Sequence, residues 1–240
     1  MKQLLLLSNS TMRGHSFLAW PEEHIKTFLG SEIQEILFIP YAAVHIAWAG
    51  YKKAIQKRFD EMGYAIESVY DKGDPVEKIH RADAIVVGGG NTFALLYHVY
   101  RYQLLKPIQE RVAEGIPYIG WSAGSNLACP SIRTTNDMPI IEPPSMDALN
   151  LIPFQLNPHY TDFVQPDHGG ESRDDRINEF LTINKDMPVV GLREGSGLIV
   201  KDEHIQLVGN NPVKIFRHGE KPLETTDVAN LFPNFRIFLT

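Results

Sequence analysis

Five short apolar runs, at residues 4–7, 36–39, 65–69, 85–87 and 118–119, alternate with helical patterns through the first half of the chain. Runs that are apolar at nearly every position suit strands buried on both faces, as in a parallel sheet. Between them Trp48, Tyr51, Ile55, Phe59 and Met62 recur at helical spacing, and Gly63 follows as a stop signal. Asp74-Pro75 opens a short helix, and a longer helical pattern covers 92–114 with a break near Pro107. Strands alternating with helices predict a right-handed, doubly wound α/β sheet with helices on both faces.

Residues 129–166 change character, with Pro130, Pro139, Pro143, Pro144, Pro153, Pro158 and Pro166. That density predicts ordered loops over the sheet edge, where sites are commonly built. Beyond them the pattern predicts a helix over 174–183, a strand over 189–192 and a hairpin from 198–200 with 205–208. A length of 240 residues suits one sizeable core, so residues 1–240 are read as a single α/β hydrolytic domain.

Hydrophobic residues make up 43% and charged ones 22%, the balance of a globular protein. The net charge of −6 argues against a nucleic-acid or anionic-membrane partner, both of which want a basic surface. Cys129 stands alone, so no intrachain disulfide forms, which fits a reducing, cytoplasmic setting. The apolar run at 4–7 is too short for a secretory signal and is read as a buried first strand. Oligomeric state is not legible; monomer and homodimer both stay open.

The strongest chemical signal is Gly120-Trp121-Ser122-Ala123-Gly124, a G-x-S-x-G sequence. A strand candidate precedes it and 125–128 can begin a helix, the context that a nucleophile elbow requires. Small flanking residues let the chain reverse tightly while the serine stands exposed at the strand's carboxyl end.

Serine needs a base to act as a nucleophile at neutral pH. His24, His80 and His98 fall in helical patterns as surface imidazoles, while His204 and His218 fall in turns. His15 and His45 lie in loops without supporting neighbours. His159 follows 154–156 at a strand end, the favoured place for a ligand-binding group, with His168 as local competitor. For the acid that orients the imidazole, Glu194 and Asp137 both qualify, Glu194 leaving a late strand and Asp137 in the loop after the nucleophile helix.

Gly88-Gly89-Gly90-Asn91 follows the strand at 85–87, and bare glycine backbone there can aim N–H groups at a substrate oxygen, with the Ala123 N–H as a second donor. The spacing fits neither dinucleotide- nor triphosphate-binding loops, and no H-E-x-x-H or C-x-x-C metal signature occurs.

Several blocks together closely resemble the peptidase E family of α-aspartyl dipeptidases. They are LLLLSNST at 4–11, VVGGGNTF at 86–93, YIGWSAGSN at 118–126, LACP at 127–130, IRTTNDMP at 132–139, NPH at 157–159, GESR at 170–173 and GLREG at 191–195. The resemblance implies a flavodoxin-like, mostly parallel sheet similar to class I glutamine amidotransferases. It implies hydrolysis of dipeptides with an amino-terminal aspartate, in the cytoplasm, without cofactor or metal. It assigns Ser122 as nucleophile, His159 as base and Glu194 as orienting acid, with Asp137 second. The N–H groups at Gly89, Gly90 and Ala123 would form the oxyanion hole. Ser125 and Arg193 depart from the family pattern, which has alanine and proline there.

An aspartate-selective site needs a cation for the substrate carboxylate, and Arg173 and Arg133 are the candidates, with Asn91 as a neutral partner. Rival readings are a cyanophycinase-like exopeptidase, a serine esterase or acyltransferase, and a catalytically silent amidotransferase-like binding module.

Overall fold

The computed structural model describes residues 1–164 and 169–229. Five parallel strands form its centre: β1 (Gln3–Leu7), β2 (Glu35–Ile39), β3 (Ala65–Ser68), β4 (Ala84–Val87) and β5 (Tyr118–Trp121). Four further strands, β6 (Gln155–Tyr160), β7 (Val189–Arg193), β8 (Ser196–Lys201) and β9 (His204–Gly209), follow in the chain, and then β10 (Val213–Phe216) and β11 (Leu223–Thr225). The main sheet has the order β3-β2-β4-β5-β1-β8-β9, with β8 and β9 antiparallel at one edge; a second sheet has the order β11-β10-β7-β6.

The apolar runs explain the two-sided burial. Leu4 and Leu6 pack on one face with Leu37, Ile39, Ile85 and Val87, while Leu5 and Leu7 pack on the other with Ile36, Phe38, Val86 and Ile119. Each fully buried leucine contributes about 1.5–3 kcal/mol of transfer free energy, which only a layer on each side can collect. Those layers come from α1 (Glu22–Leu29), α2 (Trp48–Met62), α3 (Pro75–Arg81), α4 (Thr92–Arg101), α5 (Leu105–Ala113) and α6 (Ala123–Leu127), with α7 (Arg173–Ile183) beside the second sheet. Asp74 caps α3 by accepting the Val76 N–H at 2.7 Å, with Pro75 at the first helical position.

Two expectations are corrected, and two features went unread. The helical pattern at 92–114 breaks at 102–104, where Gln103 has φ 56°, and Pro107 lies in the first turn of α5, where its missing N–H costs no helical bond. The proline-rich stretch is not loop throughout, because β6 runs through Pro158; β6 is the edge of its sheet, where proline is tolerated. The sheet formed by β6, β7, β10 and β11 was not anticipated as a layer. α1 also went unread, although Ile25, Phe28 and Leu29 are its buried face and Gly30 ends it. Among the described residues no helix is long and apolar enough to cross a membrane.

Candidate active site

Ser122 sits between β5 and α6 with φ 53° and ψ −114°, a region that a non-glycine residue occupies only under constraint. The flanking glycines are that constraint made visible. A Cβ on Gly120 would lie 2.5 Å from Gly124 C and O, and one on Gly124 would lie 2.3 Å from Val87 O. Tyr118 donates to Gly124 O at 2.7 Å, and the Ser125 hydroxyl donates to Leu7 O at 2.7 Å and Gly120 O at 2.9 Å. Serine at 125 is thus a buried clamp on the turn. Gly124→Ala is expected to cost about 1–3 kcal/mol through overpacking, lowering the midpoint of thermal unfolding, and to spoil activity by pushing α6 off β4.

His159 reaches Ser122 because β6 is irregular. The β6–β7 register shifts between Pro158 and Tyr160, and His159 there has φ 55°. A bulge of this kind re-aims a side chain. His159 Nε2 lies 3.0 Å from Ser122 Oγ, and His159 Nδ1 lies 2.8 Å from Glu194 Oε1. Both acid and imidazole are half-exposed, their side chains 51% and 42% accessible. Glu194 stands in the turn between β7 and β8. Its backbone oxygen accepts from Asn211 Nδ2 at 2.7 Å.

The structure takes Asp137 elsewhere. It lines the same cavity as Ser122 and His159, but its Oδ2 accepts from the Thr92 N–H at 2.7 Å, the Thr92 hydroxyl at 2.6 Å and the Thr135 hydroxyl at 3.1 Å. A carboxylate at the start of α4 satisfies free N–H groups and the helix dipole. Asn91 is similarly engaged as the cap of α4, accepting the Ala94 N–H at 3.0 Å and donating to Met138 O at 2.9 Å.

The two arginines part company. Arg133 turns to Asp147 at 3.5 Å and lines a cavity with Glu171, Arg176 and Glu179, away from the one that holds Ser122. Arg173 opens α7, also lines a cavity other than that of Ser122, with Thr161, Phe163 and Arg176, and donates through Nη1 to Asn136 Oδ1. Asn136 in turn donates to Pro158 O at 2.7 Å, one residue before the imidazole. Burial and neighbouring Arg176 hold the Arg173 guanidinium below its usual pKa. Among the described residues no carboxylate pairs with it; Glu171 faces Arg176 at 3.7 Å instead.

The cavity around Ser122 measures about 400 Å³ and opens at the carboxyl ends of three neighbouring strands, with Asn9, Ser10 and Thr11 after β1, Gly89 and Gly90 after β4, and Trp121 with Ser122 at β5. Gly90 has φ 141°, and a Cβ there would lie 2.2 Å from Ala42 O, so only glycine carries the chain past this point. Ala123 is the first residue of α6, where no carbonyl within the helix meets its N–H.

Of the other histidines, His15 and His24 line a separate cavity and His45 an apolar one beside the site. His204 begins β9 rather than sitting in its turn. His98, read as a surface group, packs among Tyr41, Trp48 and Tyr102. His168 and Pro166 lie outside the described residues. The Cys129 thiol is pushed up to about 12 by burial, which leaves it inert at neutral pH. Among the described residues no group of three or more His, Cys, Asp or Glu is arranged to hold a metal ion.

Two positioning residues escaped the sequence reading although they lie in a quoted block. The buried Ser8 hydroxyl accepts the His159 N–H at 2.9 Å and donates to Leu192 O at 2.8 Å, pinning the bulge to β7. Asn9 Oδ1 accepts the Gly195 N–H at 2.9 Å and so anchors the Glu194 turn.

A profile of Peptidase family S51 matches residues 4–208. A peptidase E of Nostoc sp. (strain PCC 7120) is 49% identical over 230 residues, covering 96% of this chain and 95% of its own. A peptidase E of Shewanella sp. (strain W3-18-1) is 45% identical over 212 residues, covering 88% and 89%. A solved Listeria monocytogenes EGD-e chain superposes with a TM-score of 0.65 at 24% identity, over 88% of this chain and 100% of that one. A peptidase from an acI-B1 Actinobacterium gives 0.64 at 19% identity, over 94% and 97%. These two likenesses bear on the fold, a mostly parallel α/β sheet of flavodoxin-like type.

Proposed function

The chain belongs to peptidase family S51 and is a serine-type peptidase; from that premise we propose that it releases amino-terminal aspartate from Asp-Xaa dipeptides through an acyl-enzyme on Ser122. The observation that carries this reading is the pair of consecutive hydrogen-bond distances, 3.0 Å from Ser122 Oγ to His159 Nε2 and 2.8 Å from His159 Nδ1 to Glu194.

His159 takes the Ser122 proton as Oγ attacks the scissile carbonyl, and Glu194 holds the imidazole's tautomer and stabilises its charged form. The imidazolium then protonates the leaving amine, and water repeats the cycle on the acyl-enzyme. Oxyanion donors in this reading are the N–H groups of Gly90 and Ala123, with that of Gly89 beside them in the same loop. Asp137 and Asn91 hold the start of α4, and so the glycine loop before it, and take no part in proton transfer.

Arg173 reads the substrate's aspartate carboxylate. It is half-buried, lacks a carboxylate partner among the described residues, and is tied through Asn136 to the strand that carries His159. Arg133, engaged by Asp147, drops from this role. Arg173→Met should lower kcat/KM for Asp-Leu by about 10²-fold or more, the scale of a lost charge-assisted contact, and leave the weak hydrolysis of Ala-Leu unchanged. Equal losses on both substrates would remove Arg173 from specificity.

The function itself is tested by comparing Asp-Leu, Ala-Leu, β-aspartyl-arginine and a p-nitrophenyl ester as substrates. Asp-Leu should lead; a lead for the β-aspartyl or ester compound would transfer the site to one of those chemistries. The single cysteine, buried and unpaired, supports a cytoplasmic setting.

A further inference from the structure

Tyr51 belongs to the apolar face of α2, and its ring packs as that position demands. It meets Phe38 edge-on at 5.1 Å and Phe17 at 6.5 Å, and the residue is 7% exposed. Its hydroxyl has a different environment. The oxygen accepts the Trp121 indole N–H at 3.1 Å. A Cβ on Gly88 would stand 2.7 Å from this oxygen, so the hydroxyl lies against the glycine loop that follows β4.

A phenol offers two acceptor lone pairs and one proton. With the indole N–H donating to the oxygen, the O–H still needs an acceptor, and none among the described residues receives it. The side chain lines the cavity of Ser122 and His159. A buried hydroxyl proton without an acceptor is costly, and of the two cavities Tyr51 lines, that of Ser122 and the apolar one beside it, the first is where a substrate oxygen enters. Burial pushes the phenol up to about 12, so it stays a neutral donor throughout the physiological range.

We propose that the Tyr51 hydroxyl is a third donor to the scissile carbonyl oxygen, a side-chain member of the oxyanion hole; this rests on the acyl-enzyme reading of Ser122. As Ser122 Oγ bonds to the carbonyl carbon, the π pair moves onto the oxygen and the serine proton passes to His159 Nε2. Tyr51 donates a hydrogen bond to that oxygen and keeps its own proton. On collapse the C–N bond breaks, the imidazolium proton goes to the leaving amine and the carbonyl re-forms. Charge builds on the carbonyl oxygen between the serine and the glycine loop, the side on which Tyr51 lies.

Tyr51→Phe keeps the ring and removes the donor. It should lower kcat for Asp-Leu by about 10²-fold, the scale of losing one oxyanion-hole donor, with KM within about threefold of wild type. A kcat within about threefold of wild type, or a loss carried by KM alone, would overturn the proposal. Replacing Tyr51 by 3,5-difluorotyrosine retains ring and hydroxyl but acidifies the phenol. The alkaline limb of the kcat–pH profile should then move to lower pH, and an unmoved profile counts against the proposal even if the phenylalanine variant fails to fold. Ser122→Ala run in parallel separates the premises: if it stays active, the acyl-enzyme reading has failed, whereas a dead Ser122→Ala with a fully active Tyr51→Phe removes Tyr51 alone.

Discussion

On the proposed mechanism, Ser122→Ala should lower kcat/KM for Asp-Leu by about 10⁴–10⁶-fold and leave the thermal midpoint within about 2 °C of wild type. The activity should go because no other hydroxyl among the described residues lies at the turn where β5 meets α6 with an imidazole nitrogen 3.0 Å away. The fold stays because the Ser122 side chain makes no other hydrogen bond among the described residues. The glycines at 120 and 124 leave room for the turn whichever residue stands at 122, so alanine should keep the φ of 53°. Steady-state kinetics with a fluorophosphonate probe of the folded variant check both halves. Retention of a tenth of the wild-type rate would end the serine mechanism here.

Glu194→Gln and Asp137→Asn form the second comparison, since the chain itself offers either acid as partner of the imidazole. Glu194→Gln should lower kcat by about 10²–10³-fold. That lies below the largest losses known for buried triad acids, because the Glu194 side chain is 51% exposed and water compensates part of the lost charge. Asp137→Asn should instead cost about 1–2 kcal/mol of stability, by weakening three hydrogen bonds at the start of α4, with kcat within about tenfold of wild type. Kinetics and thermal melts of the two variants decide the assignment. The reverse pattern, a crippled Asp137→Asn beside an active Glu194→Gln, would move the orienting role to Asp137.

Much of the central sheet is legible because its strands are local. Leu4 to Leu7 and Ala84 to Val87 are apolar at every position, a pattern that admits burial on two faces and little else. The Ser122 turn is legible for the same reason, its glycines being required by contacts within five residues and with the neighbouring strand. Only the start of β6, at 154–156, was legible as a strand, because Pro158 reads as a strand breaker unless one knows that it falls on a sheet edge. Likewise the bulge at His159 depends on its register with β7, some thirty residues further along the chain.

Local chemistry in the chain therefore determined the α/β architecture, the serine turn and a short set of acids, bases and cations around it, since each follows from spacing and side-chain type over a few residues. Tertiary structure alone decided among the members of that set. It put Glu194 and not Asp137 against His159, engaged Asn91 and Arg133 elsewhere, and left Arg173 without a carboxylate among the described residues. The physical reason is that an acid's partner is fixed by where long-range strand pairing and helix ends bring it, a property of the folded arrangement that no stretch of neighbouring residues encodes.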